Sequence, residues 1–214
     1  MNASAWKEIV LNTLEAVAAQ EQHLNTLDSA VGDGDHGTTV ARGMRSAIAE
    51  LQANDYDTLN KVNVVVGESM MDAMGGASGV LYGVFFRAAR KCETYHEVTV
   101  EAFYHFIEQG LAELKRRSGA EAGDKTMLDA LIPAVEAVRI NVEAGQTDVV
   151  EVMRVAAEAA KQGSDATKGM SARFGRSKFL GERVLDNVDP GSVSAALLFQ
   201  GFYENTKRLQ EESK

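Results

Sequence analysis

The sequence predicts an all-α protein, a bundle of about eight helices with antiparallel neighbours. Three observations carry that reading. The chain of 214 residues has only two prolines, Pro133 and Pro190. Apolar residues recur at spacings of three and four along most of it, and no sustained alternating pattern marks a strand. The interruptions between the apolar stripes are mostly short, which favours antiparallel neighbours in a bundle.

The stripes run in order. The first holds Trp6, Ile9, Val10, Thr13, Leu14 and Val17 on one face. A short helix is expected after Gly37. Val62, Val65, Val66, Ser69 and Met70 form the next stripe; its β-branched run favours a strand by propensity, but nothing else in the chain offers a partner strand, so helix is expected. Leu81, Val84, Phe85 and Ala88 follow, then Phe103, Phe106, Ile107, Leu111 and Leu114. Leu128, Leu131, Ile132, Val135 and Val138 precede Val149, Val152, Met153, Ala156 and Ala160. The last stripe contains Val193, Ala196, Leu197 and Gln200. Breakers fall at Val31–Gly37, Gly75–Gly79, Ser118–Lys125, Gly145–Gln146, Gly163–Gly181 and Asp186–Gly191. The stretch from Gly163 to Gly191 is long, polar and weakly periodic, as functional loops often are. One domain over 1–214 accounts for the whole pattern, with no internal repeat.

Composition narrows the function classes. The net charge is −9, so neither nucleic acid nor an anionic membrane is an expected partner, because both need a basic patch. No apolar stretch approaches the ~20 residues of a membrane span, and the start shows no secretory pattern. The single cysteine, Cys92, fits a reducing compartment. The expected location is the cytoplasm.

The most informative stretch is Leu27-Asp28-Ser29-Ala30-Val31-Gly32-Asp33-Gly34-Asp35-His36-Gly37. Asp28, Asp33 and Asp35 do not share a helix face, but a glycine-rich loop lets their carboxylates converge. Converging carboxylates repel one another unless a cation sits among them. Hard oxygen ligands beside a phosphate site suit Mg²⁺, and the EF-hand spacing that would favour Ca²⁺ is missing. The plainer alternative is a polar turn in which Asp35 caps the next helix. His36 either touches a phosphate or stands exposed at the helix start.

Other loops are friendly to phosphate but individually weak. Gly75-Gly76-Ala77-Ser78-Gly79 precedes a helix whose free N–H groups offer an anion site; close helix packing explains it equally well. In Gly123-Asp124-Lys125-Thr126-Met127, Asp124 is expected to cap the following helix. Asp189-Pro190-Gly191 is standard helix-start chemistry. Arg173, Arg176, Lys178 and Arg183 form a basic island, suited to phosphate or to plain solvation. Alternate loops of an up-down bundle share one end, so several of these can surround one ligand.

Taken together with Gly175-Arg176 and Leu180-Gly181-Glu182-Arg183, these motifs resemble, in order and spacing, the L subunit of the dihydroxyacetone kinase family, from Leu27 to Gly191. The resemblance implies a barrel of eight antiparallel helices with a nucleotide held by the loops at one end. It implies that Asp28, Asp33 and Asp35 ligate two Mg²⁺ ions. It implies that ADP or ATP is contacted by His36, Gly37, Thr38 and Thr39, by Ala77 and Ser78, by Gly119, Met127 and Arg176, and by Asp189, Pro190 and Gly191. In this family a separate K subunit holds the ketose covalently, and nothing in this chain corresponds to it. The implied activity is therefore a phosphotransferase subunit acting across an interface on dihydroxyacetone or a similar small ketose.

One branch of the family keeps ADP bound and recharges it from a phosphohistidine carrier of the phosphotransferase system. The other exchanges ATP freely. A stand-alone chain with His36 after Asp35 is similar to the first branch, whereas Thr39 departs from the asparagine often found there. A homodimer is left open. Two rivals from other classes are a metal-dependent phosphohydrolase and a non-catalytic helical regulatory module.

Overall fold

The computed structural model describes residues 1–213, and of residues 76–78 the backbone alone. The described residues form nine α-helices: α1 (Ala3–Ala18), α2 (Glu21–Val31), α3 (His36–Ala53), α4 (Leu59–Ala73), α5 (Gly76–Arg87), α6 (Val100–Ser118), α7 (Leu128–Glu143), α8 (Val149–Ala166) and α9 (Pro190–Glu212). Three short 3₁₀ turns, at Ala88–Lys91, Ser177–Phe179 and Gly181–Val184, complete the regular structure. The β-branched run at Val62–Val66 is helical within α4.

Eight helices close a ring. Each of α3 to α9 packs on its neighbour in sequence, and α9 returns to α1, which packs on α3. The ninth helix, α2, lies outside the ring against α3, with a lesser contact to α9. It is the helix absent from the apolar pattern, and the reason is physical. Only Leu24 and Val31 are buried along its eleven residues, so it carries no continuous apolar stripe. The helix after Gly37 is also longer than expected, with 18 residues. Its buried face uses Gly43, Ala41 and Ala47 beside Val40, Met44 and Leu51, small residues that dilute the periodic signal. Gly163, expected as a breaker, lies inside α8.

The ring is filled by an aromatic cluster. Trp6 stacks on Phe202 at 5.5 Å between centroids. Phe106 packs against Trp6, Phe85, Phe86 and Phe202, and Phe199 and Phe103 extend the cluster through α9 and α6. Such pairs add about 0.5–1.5 kcal/mol each beyond area burial. The indole N–H of Trp6 donates to Asn63 Oδ1 at 3.0 Å, so the one polar atom of the largest core side chain has a partner.

One close approach sets the geometry near the site. Pro133 lies inside α7 and has no N–H to donate to the Asp129 carbonyl one turn earlier. Gly163 of α8 occupies the space beside that carbonyl: a Cβ there would lie 2.0 Å from the Asp129 oxygen and 2.7 Å from the Pro133 ring. The proline and the glycine together let α8 press against the first turn of α7.

Candidate functional site at the open end of the ring

Antiparallel order brings four connections to one end: α2–α3, α4–α5, α6–α7 and α8–α9. They enclose a cleft of about 860 Å³, within the range of ligand sites. All four junctions contribute to its wall: Asp28, Asp33, Asp35, His36 and Thr39 from the first, Gly75 from the second, Ser118, Ala120 and Met127 from the third, and Arg176, Asp189, Pro190 and Gly191 from the fourth.

The aspartates converge there. Ligand oxygens of Asp28, Asp33 and Asp35 lie within 4.8 Å of one another. Asp28 stands on the last turn of α2 rather than in the loop. Its Oδ2 accepts from the backbone N–H groups of Asp35 and His36, at 3.0 and 3.3 Å. Asp28 therefore caps α3 from outside, whereas Asp35, at the N-cap position itself, makes no side-chain capping bond. The plainer alternative, in which Asp35 caps this helix, does not hold; Asp28 does the capping. Gly34, with φ of 78°, makes the intervening turn, a conformation that costs an L side chain energy.

Arg176 pairs with Asp33 and reaches to 4.0 Å from Asp35. Ser177 Oγ donates to the Val31 carbonyl at 2.8 Å, docking this segment over the aspartate turn. Three carboxylates less one guanidinium leave two negative charges, and the donors are all carboxylate oxygens. That donor set and residual charge fit a hard divalent cation such as Mg²⁺.

Among the other expected contacts, Thr39, Met127, Pro190 and Gly191 line the cleft. Gly37 and Thr38 face α2 instead. A Cβ on Gly37 would lie 2.0 Å from the Glu21 carbonyl. Thr38 accepts from Asn25 Nδ2 and donates to Glu21. Gly119 ends α6 in a left-handed conformation, φ 67°, between the lining residues Ser118 and Ala120. The expected contacts at Ala77 and Ser78 involve side chains outside the described residues; Gly75, just before them, borders the cleft.

The α6–α7 connection differs from expectation. Asp124 does not cap α7. Its Oδ2 accepts from Glu121 N–H at 2.8 Å, and its Oδ1 pairs with Arg173 at 3.4 Å. Asp129 instead accepts from Gly123 and Thr126 N–H groups, at 2.5 and 2.8 Å, curling 123–126 back onto α7. Of the basic island, Arg176 alone lines the cleft; Lys178 sits over the Phe179 ring at 4.7 Å.

Several site residues escaped sequence reasoning. Lys125 is buried with a left-handed φ of 58°. Its Nζ donates to the carbonyls of Thr167 and Asn187, at 2.6 and 2.5 Å, tying the α6–α7 connection to α8–α9. Burial lowers its pKa, with Asp189 and Asp129 opposing. Ser194 Oγ lies 2.9 Å from His36 Nε2, and the Tyr82 hydroxyl bonds the same Oγ at 2.6 Å. Burial lowers the His36 pKa against the pull of Asp28, favouring the neutral ring. Burial raises that of Tyr82. Asp189 caps α9 as expected, accepting from Ser192 N–H at 2.6 Å. Its enclosure raises its pKa to about 7, with Asp129 and Asp28 adding to the rise and Ser192 N–H and Lys125 opposing it. The signal available for Tyr82 and Ser194 was a polar group on an otherwise apolar helix face.

Comparison with known proteins now bears on this arrangement. The model of the DAK2 domain matches residues 30–204. This chain belongs to the DAK2-domain family. Among curated relatives of the family, the ADP-binding subunit DhaL of PEP-dependent dihydroxyacetone kinase 1 from Listeria innocua is 37% identical over 190 residues, covering 89% of this chain and 90% of the relative. The corresponding subunit from Escherichia coli is 33% identical, covering 86% and 87%. Human triokinase/FMN cyclase is 34% identical over 189 residues, 86% of this chain but 32% of that protein. Two crystal structures of the dihydroxyacetone kinase of C. freundii share the fold. The native form gives a TM-score of 0.72 at 33% identity, covering 95% of this chain and 34% of that one. The second, in complex with AMP-PNP and Mg²⁺, gives 0.71 over 94% of this chain. The match to this chain thus spans about a third of these larger proteins and nearly the whole of the bacterial subunits.

Proposed function

We propose that this chain is the nucleotide-binding subunit of a dihydroxyacetone-kinase-type phosphotransferase. It holds an adenine nucleotide in the cleft and passes a phosphoryl group to dihydroxyacetone, or a similar small ketose, held on a separate K-type subunit. The observation that carries this reading is the convergence of Asp28, Asp33 and Asp35 under Arg176, in a cleft walled by all four connections at one end of the ring.

Each residue has a task. Asp28, Asp33 and Asp35 would hold Mg²⁺, two ions on the family pattern, which when bound neutralises charge on phosphate oxygens. Arg176 is the cation nearest that position and would turn from Asp33 to phosphate, where its planar fork suits bidentate contact. The first N–H groups of α5, and the Asp189-Pro190-Gly191 turn, offer anion and ribose contacts. Met127 and the apolar wall of Val80, Leu114 and Leu128 suit an adenine face. His36 and Thr39 border the phosphate side, and Ala77, Ser78 and Gly119 complete the proposed contacts. No general base is assigned, since the accepting hydroxyl comes from the partner.

The donor is proposed to be a phosphohistidine carrier that converts bound ADP to ATP in place, in keeping with the ADP-binding, PEP-dependent relatives that align over nearly their whole length. Freely exchanging ATP is the second reading, favoured by the similarity to triokinase. Purification without added nucleotide, followed by denaturation and identification of what is released, separates the two. Stoichiometric ADP supports the carrier-recharged form. An empty site that binds Mg·ATP reversibly supports the second. No nucleotide binding under either condition overturns both, and leaves the non-catalytic module.

A further inference from the structure

His36, Ser194 and Tyr82 come from three elements of the rim: the first turn of α3, the first turns of α9 and the middle of α5. Ser194 Oγ is the common node. It lies 2.9 Å from His36 Nε2, 2.6 Å from the Tyr82 hydroxyl and 3.0 Å from the Gly191 carbonyl. Ser194 and Tyr82 are buried, with relative exposures of 0% and 1%. The single proton of Ser194 has three acceptors in reach, the Gly191 carbonyl, His36 Nε2 and the Tyr82 hydroxyl oxygen. On each assignment the imidazole is held at Nε2 and the Tyr82 hydroxyl stays bonded to Oγ.

The position of this node gives it a consequence. The His36 backbone N–H is bonded to the Asp28 carboxylate, so the ring and the aspartate turn move together. Gly191 belongs to the turn that opens α9. The His36 ring bridges α3 and α9: it bonds Ser194 Oγ and also reaches the Pro190 backbone carbonyl. α3 and α9 do not pack on one another as neighbours in the ring, so this part-buried polar contact, rather than apolar packing, sets the register between their first turns.

We infer that Tyr82 and Ser194 are positioning residues: by clamping His36, they couple cation binding at Asp28, Asp33 and Asp35 to nucleotide binding at Asp189–Gly191. The inference rests on the function proposed above. Loss of the clamp leaves both binding surfaces in place but loosens their mutual register, so each ligand reports less of the other's presence.

Calorimetric titration of ADP with and without saturating Mg²⁺ tests this. In the wild-type protein Mg²⁺ is expected to tighten ADP by a measurable factor. Ser194→Ala is expected to cut that factor by about five- to tenfold, with Mg²⁺-free ADP affinity held within about twofold. Tyr82→Phe, which keeps the ring volume and folds even if Ser194→Ala does not, is expected to cut it by about threefold. The ¹⁵N resonance of His36 Nε2 should move in both variants. An unchanged factor in Tyr82→Phe and Ser194→Ala overturns the inference, as does an equal loss of affinity with and without Mg²⁺, which marks a purely structural role. A wild-type protein that binds no ADP in either condition overturns the functional reading itself, and the coupling with it.

Discussion

Asp28 and Asp35 belong to the same proposed ligand set yet have opposite structural duties, and that difference is measurable. Asp28 satisfies two N–H groups at the start of α3; Asp35 satisfies none of them with its side chain. Asp28→Ala should therefore lose about 1 kcal/mol of stability through the cap, along with Mg²⁺-dependent nucleotide binding. Asp35→Ala should lose the binding, with transfer falling about 100-fold or more, while thermal stability stays level or rises as carboxylate repulsion is relieved. Equal destabilisation by the two changes, or transfer that survives Asp35→Ala, would contradict the assignment. Asp189 supplies a second test at this scale. Enclosure raises its folded pKa to about 7, well above the ordinary carboxylate range. The native state therefore holds a proton that the unfolded chain has released, and its contribution to stability is full below about pH 4 and is lost as pH rises to about 7. The loss is about 4 kcal/mol at most. Asp189→Asn keeps an acceptor for Ser192 N–H and should flatten the slope of stability against pH across that window. Urea unfolding at several pH values checks it; an undiminished slope would show that the enclosure of Asp189 does not govern it. Neither duty could be read from the sequence. The aspartate pattern announced convergence, because glycine spacing and carboxylate chemistry are local. Which carboxylate caps, and which is desolvated, depends on α2 and Lys125, which the pattern did not mark.

At the scale of elements, the sequence showed what was repetitive and hid what was not. Six stripes with large apolar residues became α1, α4, α6, α7, α8 and α9, and the weaker stripe at Leu81–Ala88 became most of α5. α2 was invisible because a helix that only rests on a barrel needs few buried residues; Leu24 and Val31 anchor it, and Arg45–Glu21 and Thr38–Asn25 contacts tie its exposed side to α3. Gly163 was read as a breaker because a glycine in a helix interior is costly. Its reason is the approach to the Asp129 carbonyl, which is tertiary. Gly163→Ala should then destabilise, although alanine is the better helix former. A loss of about 1–3 kcal/mol is expected from overpacking against backbone, and nucleotide affinity should fall too, because Asp129 holds the 123–126 turn. A variant that is more stable than the parent would mean that α8 can retreat without cost.

At the scale of the whole molecule, the proposed function asks an acidic chain to present an anion site, which it would do with cations and N–H donors at one end of the ring. Arg139, Arg154 and Arg208 are each tied to two glutamates, whereas Arg176 spends its charge on the aspartate trio at the cleft. That pairing, with the Ser177–Val31 bond, fastens the long α8–α9 connection over the site. A bound cation would take over the aspartates, release Arg176 to phosphate and hold the same connection from both sides. Ligand binding should thus register globally. Mg·ADP at 100 times its dissociation constant adds about 2.7 kcal/mol, which for a chain of this size raises the melting temperature by about 5–10 °C. Trypsin cleavage at Arg173, Arg176, Lys178 and Arg183, all exposed except for partial cover elsewhere in the loop, should slow in parallel. Adenosine without Mg²⁺ should do neither, because it brings no phosphate for Arg176 and no charge for the aspartates. Equal protection by adenosine would mean that the cleft recognises the base alone and that Arg176 stays with Asp33 throughout.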